Sequence, residues 1–101
     1  MMLPIVMEYN EDFTGEKYRE IARAMGVEGV DEMSQEEYRK AAVDAVKKLS
    51  ADVGIPAVNE KVREEDLDTL AADAYADACR PGNPRDTNEA ELKELYKKIM
   101  A

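Results

Sequence analysis

Apolar residues in this chain recur at helical spacing and nowhere alternate. That pattern restricts the fold more than any other feature. A half-buried strand needs alternation with period two, whereas an amphipathic helix needs recurrence at i, i+3, i+4 and i+7. Tyr38, Ala41, Ala42, Ala45, Val46, Leu49 and Val53 keep the helical period through the longest segment. Ser34-Gln35-Glu36-Glu37 opens that segment as a capping box, with Ser34 at the cap and Glu37 three residues on. Gly54 stands where a helix takes its left-handed closing residue, and Pro56 blocks continuation.

The remaining segments follow the same logic. Met2–Tyr9 is apolar on nearly every side, and Pro4 fits only the first turn of a helix. A second helix is expected with Thr14 as its cap, Gly15-Glu16 as its opening and Phe13 packed on Tyr18 as a staple. Tyr18, Ile21, Ala22 and Met25 form its inner face, and Gly26 ends it. The connector Ala57–Arg63 leads to a fourth helix over Glu64–Cys79, whose acidic start suits the positive end of the helix dipole. Leu67, Leu70, Ala71, Ala74 and Ala78 form its packing stripe. Arg80–Thr87 reads as a loop, because Pro81-Gly82 and Asn83-Pro84 both break helices. Asn88 caps the last helix with Glu91 as its box partner, and Leu92, Leu95, Tyr96 and Ile99 face inward. The expected fold is all-α, a small bundle of about five helices forming a single partial domain over residues 1–101.

Charge and composition remove several function classes. The formal net charge is -9, so nucleic acid and anionic membrane surfaces are disfavoured partners. No uncharged apolar run is long enough to span a bilayer, and the apolar start lacks the basic flank of a signal peptide. The single Cys79 forms no internal disulfide, which fits a reducing cytoplasm.

Histidine is absent altogether, so nothing activates Ser34, Ser50 or Cys79 as a nucleophile, and zinc or haem would lack its usual ligands. Neither Asp31-Glu32-Met33-Ser34 nor Asp66-Leu67-Asp68 has the spacing of a calcium loop. The glycines stand singly, so no phosphate loop exists. Leu49-Ser50-Ala51-Asp52 runs in the wrong order for a carrier-protein serine. The residues by themselves thus designate no catalytic residue and no metal ligand. Cys79 reads from its position as a small buried hydrophobe.

Several segments in order carry a family resemblance. They are Met2-Leu3-Pro4 through Glu8-Tyr9-Asn10, Tyr18 through Val27, Asp52-Val53-Gly54-Ile55-Pro56, Glu65-Asp66-Leu67, Ala78-Cys79, Asn83-Pro84-Arg85 and Leu95-Tyr96. Together they resemble the C-terminal helical part of iron-dependent alcohol dehydrogenases of the lactaldehyde reductase or propanediol dehydrogenase type.

The resemblance implies a parent reaction of reversible hydride transfer between NAD(P)(H) and a small alcohol, diol or aldehyde. It implies an iron held by one Asp and three His, all upstream of this chain together with the nucleotide-binding half. It marks Cys79 as a cofactor-binding residue near the nicotinamide and substrate pocket. The chain departs from the family in its Ala57–Arg63 connector, which is shorter and lacks a glycine, and in Arg80-Pro81, which replace small polar residues.

On this reading the isolated chain holds neither iron nor NAD(P) and does not turn over. Its expected partners are the missing N-terminal half and a second copy, docked through Leu3, Ile5, Val6 and Met7. The competing reading is a free-standing helical interaction module whose N-terminal helix docks on a partner.

Overall fold

The computed structural model describes residues 1–100. Five α-helices follow one another: α1 Met2–Asn10, α2 Lys17–Ala24, α3 Gln35–Asp52, α4 Leu67–Ala76 and α5 Glu89–Lys97. No strand forms among the described residues, and a lone bridge pairs Asn59 with Met100. The class expected from the periodicity is therefore the one observed.

Local signals set several boundaries. The Ser34 hydroxyl accepts from the Glu37 amide at 3.3 Å and donates to the Glu37 carboxylate at 3.1 Å. The Asn88 side chain accepts from the Glu91 amide at 2.8 Å. Gly26 and Gly54 close α2 and α3 with φ of 85° and 83°, a conformation that costs glycine nothing and other residues about 1 kcal/mol or more.

Other boundaries differ from expectation. Thr14 does not cap α2; Glu16 takes that position, and the Thr14 hydroxyl donates to the Glu11 carbonyl at 3.1 Å. A 3₁₀ turn over Glu11–Phe13 has captured the threonine first. Phe13 is 54% exposed, with the Arg85 guanidinium 5.1 Å from its ring centroid, instead of serving as a staple. Glu64–Asp66 form a 3₁₀ turn ahead of α4, and α4 stops at Ala76, short of Cys79. Within Arg80–Thr87, residues Arg80–Gly82 make a 3₁₀ turn.

Packing divides the helices into two groups. α3 takes α1 and α2 against it, while α4 and α5 pack chiefly on each other. The first group surrounds a continuous apolar cluster of Met7, Tyr18, Ala22, Tyr38, Ala42 and Val46, joined by Val30 and Val43. Tyr38 and Ala42 are fully buried there. Val43 was missing from the expected inner face of α3; it turns inward because α1 as well as α2 packs on that helix. Leu49 and Val53, assigned to the inner face, are 49% and 64% exposed, so the apolar stripe runs on past the buried part of α3.

The second group buries Leu67, Ala71, Leu95 and Ile99 outside that cluster. The molecule is long for its size, 45 × 29 × 19 Å with a radius of gyration of 14.8 Å. A compact chain of this length has a radius of about 13 Å.

The N-terminal segment is less naked than its sequence suggests. Pro4 and Met7 are buried in α1, Ile5 and Val6 are half-buried, and only Leu3 is largely exposed, at 61%. The Tyr18 hydroxyl donates to the Met7 carbonyl at 2.7 Å, tying α1 to α2.

Candidate functional site at the Cys79 turn

The turn after α4 is built by aspartate. Asp77 adopts extended dihedrals, and its carboxylate accepts from the Cys79 amide at 2.7 Å. Such a side-chain bond offers the backbone an alternative to the helix, and here it ends one. Cys79 consequently lies on the outside of a turn instead of continuing the Leu67–Ala71 stripe. Its thiol is free and exposed, so the buried-hydrophobe reading is overturned. Ala78, assigned to the same stripe, is exposed for the same reason.

The stretch that follows is clamped to the far end of α1. Asn10 and Asn83 exchange two amide hydrogen bonds, of 2.7 and 2.8 Å, and Asn83 also donates to the Arg85 carbonyl at 2.7 Å. Arg85 lies 4.1 Å over the Tyr9 ring and donates to the Tyr9 carbonyl at 2.9 Å. It also faces Glu91 at 3.6 Å. The Tyr9 hydroxyl donates to the Glu91 carboxylate and lies 3.1 Å from the Asp86 carbonyl. Glu91 therefore turns to Tyr9 and Arg85, so the expected box with Asn88 is completed from one side only. Burial of Tyr9, followed by its bond to the Glu91 carboxylate, pushes the phenol up to about 12. Tyr9 thus acts as a neutral donor over the whole ordinary pH range.

Beside the clamp lies a cleft of about 330 Å³ between α1, α4 and α5. Val6, Leu92 and Leu95 give it apolar walls, and Tyr9, Asn83 and Tyr96 supply polar edges. Arg80 reaches into this lining from the Cys79 turn; Cys79 itself does not line it. Arg80 stacks 4.2 Å over Tyr75 and donates to the Tyr75 carbonyl at 2.7 Å.

Comparison with known proteins gives this geometry a context. The profile of the Fe-containing alcohol dehydrogenase family, C-terminal, matches residues 1–100. The chain belongs to the Fe-containing alcohol dehydrogenase family. The lactaldehyde reductase of Escherichia coli (strain K12) is 54% identical over 98 residues, covering 95% of this chain and 25% of that protein. The 1,3-propanediol dehydrogenase of Citrobacter freundii is 36% identical over 102 residues, 99% of this chain and 26% of that protein. Choline dehydrogenase of Bacillus subtilis (strain 168) is 36% identical over 100 residues, 98% of this chain and 25% of that protein. The chain thus spans about a quarter of the length of these relatives, at their C-terminal end.

The donor set within these residues does not fit the iron of that family. There is no histidine, and among the described residues no three Cys, Asp or Glu side chains converge on a point. The sequence by itself designates no catalytic residue and no metal ligand. Of the motif shared with the dehydrogenase family, the structure brings Asn83 and Arg85 into one clamp and leaves Cys79 outside it. Tyr9, Asn10 and Glu91, which complete the clamp, were not singled out as functional. The available signal was the recurrence of Tyr9-Asn10 and Asn83-Pro84-Arg85 within one resemblance. Their meeting across more than 70 positions has no local signature.

Proposed function

We propose that this chain is the C-terminal helical part of an NAD-dependent, iron-containing alcohol or diol dehydrogenase of the cytoplasm, inactive when isolated. The observation that carries the reading is the family match over residues 1–100, supported by 54% identity to a lactaldehyde reductase. That identity makes lactaldehyde the first substrate to try. When bound, iron in such an enzyme polarises the alcohol oxygen and the nicotinamide takes the hydride. In this proposal their binding groups come from outside these residues. The chain's own contribution in this proposal is to present the Cys79 turn to the nicotinamide, with the Asn10–Asn83 and Arg85–Tyr9 contacts fixing where that turn stands. An exposed thiol on a braced turn supports Cys79 as a cofactor contact.

The partners proposed are the nucleotide-binding half and a second copy of the chain. For the second copy the support is a cleft of about 340 Å³ where Pro4 and Ile5 meet Ile55 and Val58. Ile55 and Val58 are 46% and 40% exposed, so apolar surface is left for association. Light scattering should show dimers that dissociate when Ile5 and Val6 are both changed to Ser; a monomer at high salt would exclude this pairing. No observation favours the free-standing interaction module.

The enzymatic reading is tested by splitting the Escherichia coli relative at the corresponding boundary. Its N-terminal part is co-expressed either with its own C-terminal part or with this chain. Iron-dependent, lactaldehyde-dependent NADH oxidation is expected from both pairs and from neither part alone. Turnover by the relative's own pair but not by the hybrid would overturn the reading. Cys79→Ala in the hybrid should raise KM for NADH more than it lowers kcat.

A further inference from the structure

Among the described residues, Arg80 is the arginine that meets no carboxylate. Arg19, Arg23, Arg39, Arg63 and Arg85 each lie in an ion pair. Arg80 has instead a ring, a carbonyl and a 3.5 Å contact to the Thr87 hydroxyl. Arg80 is half-buried and its guanidinium is held by the Tyr75 stack, so recruiting its remaining donors costs little side-chain entropy. It borders the 330 Å³ cleft whose walls include Val6, Leu92 and Leu95. That volume falls at the low end of small-molecule sites, and an apolar pocket with a few fixed polar groups is their usual make-up.

Asp77 also borders the cleft, but one of its oxygens is already engaged by the Cys79 amide. In a chain of net charge -9, a guanidinium beside an apolar cleft that is in no ion pair is the local exception, and the Asp77 carboxylate is held on the Cys79 amide and not on Arg80. We propose that this cleft binds a small organic carboxylate, its charged end on Arg80 and a short branched apolar tail between Val6 and Leu92. A guanidinium serving only as a staple for Tyr75 would show no such preference for charge.

The test is nuclear magnetic resonance titration of the ¹⁵N-labelled chain with isovalerate and with its uncharged amide, isovaleramide. Isovalerate is expected to shift the amides of Arg80, Thr87 and Tyr96 with saturation in the millimolar range, and isovaleramide to bind roughly tenfold more weakly, as loss of a charge-assisted bond requires. Added salt should weaken the acid and leave the amide unchanged. Arg80→Gln should erase the difference between the two probes. Ala74→Phe, which fills the cleft from α4 and leaves the Arg80 charge in place, should abolish both responses with the helical circular dichroism intact. Equal binding of acid and amide, shifts that map outside the cleft, or no saturable shift would each overturn the proposal. Should Arg80→Gln fail to fold, the acid–amide comparison on the unaltered chain and Ala74→Phe still decide.

Discussion

The α1–α3 group and the α4–α5 hairpin each close on apolar side chains, yet the contacts that join one to the other are largely polar. In the first, Tyr38, Ala42 and Val46 interlock with Tyr18, Ala22 and Met7 in one apolar cluster. In the second, a short row of Leu67, Ala71, Leu95 and Ile99 closes a two-helix hairpin. Between them polar contacts recur: the paired amides of Asn10 and Asn83, Arg85 on Tyr9 and Phe13, and Tyr9 on Glu91. The Asn59 amide adds a bond of 2.6 Å to the Ile99 carbonyl. Apolar burial is non-directional and tolerates sliding, whereas hydrogen bonds fix an orientation. A polar seam therefore sets how the hairpin, and the Cys79 turn it carries, stands against the first group.

The largest effects should come from the cores. Tyr38→Ala should cost roughly 3–5 kcal/mol and unfold the first group, because the ring is fully buried. Leu67→Ala should cost roughly 2–5 kcal/mol, with hydrogen exchange accelerating in α4 and α5 ahead of α3. If both substitutions melt the chain as one unit at every amide, the division into two groups is wrong. Tyr38→Phe sharpens the point. The Tyr38 hydroxyl is buried without a partner, so its removal should leave stability unchanged or raise it by about 1 kcal/mol in urea unfolding.

Next come the seam residues. Arg85→Ala removes a stack on two rings and a charge-assisted bond to the Tyr9 carbonyl. It should cost about 2 kcal/mol, and Arg85→Lys should recover only a minor share, since a lysine has no planar face to stack. Exchange in α5 should rise while α3 stays protected; uniform loss of protection would mean that the seam belongs to a single core.

Ser34→Ala should cost about 0.5–2 kcal/mol and act on α3 alone, with Gln35→Ala near neutral. Equal shifts in melting temperature for the two would remove Ser34 as the cap.

The smallest effect is alkaline. Tyr9 holds its proton up to about 12 in the folded chain against 10.0 for a free phenol. Between those values the native state binds a proton that the unfolded state has lost. The stabilising contribution is therefore complete below 10.0 and declines as pH rises toward 12. Urea midpoints measured across that window should fall more steeply for the native chain than for Tyr9→Phe. Parallel curves would show that Tyr9 is not titrating within the seam.

Legibility in the sequence follows the range of each interaction. Ser34, Asn88, Gly26 and Gly54 were readable because a cap or a left-handed closure is decided within about four residues. Thr14 departs from its expected role as a cap because a competing acceptor, the Glu11 carbonyl, comes with a 3₁₀ turn that the periodicity does not show. Cys79 was placed on a helix because Ala74 and Ala78 keep the period. One aspartate side chain bonded to an amide two residues on was enough to stop that helix. Leu49 and Val53 show that period alone does not say where a partner helix ends.

What the amino-acid order determined by itself is thus the helical class, most helix starts and closures, and the membership of the Fe-containing alcohol dehydrogenase family carried by ordered motifs. Only the tertiary structure decided that Tyr9 and Asn10 meet Asn83, Arg85 and Glu91, that Cys79 faces outward and that Arg80, in no ion pair, borders a cleft. The reason is physical. Periodicity and capping are written in neighbours a few positions apart, whereas a polar side chain between two helices finds its partner only after both have packed.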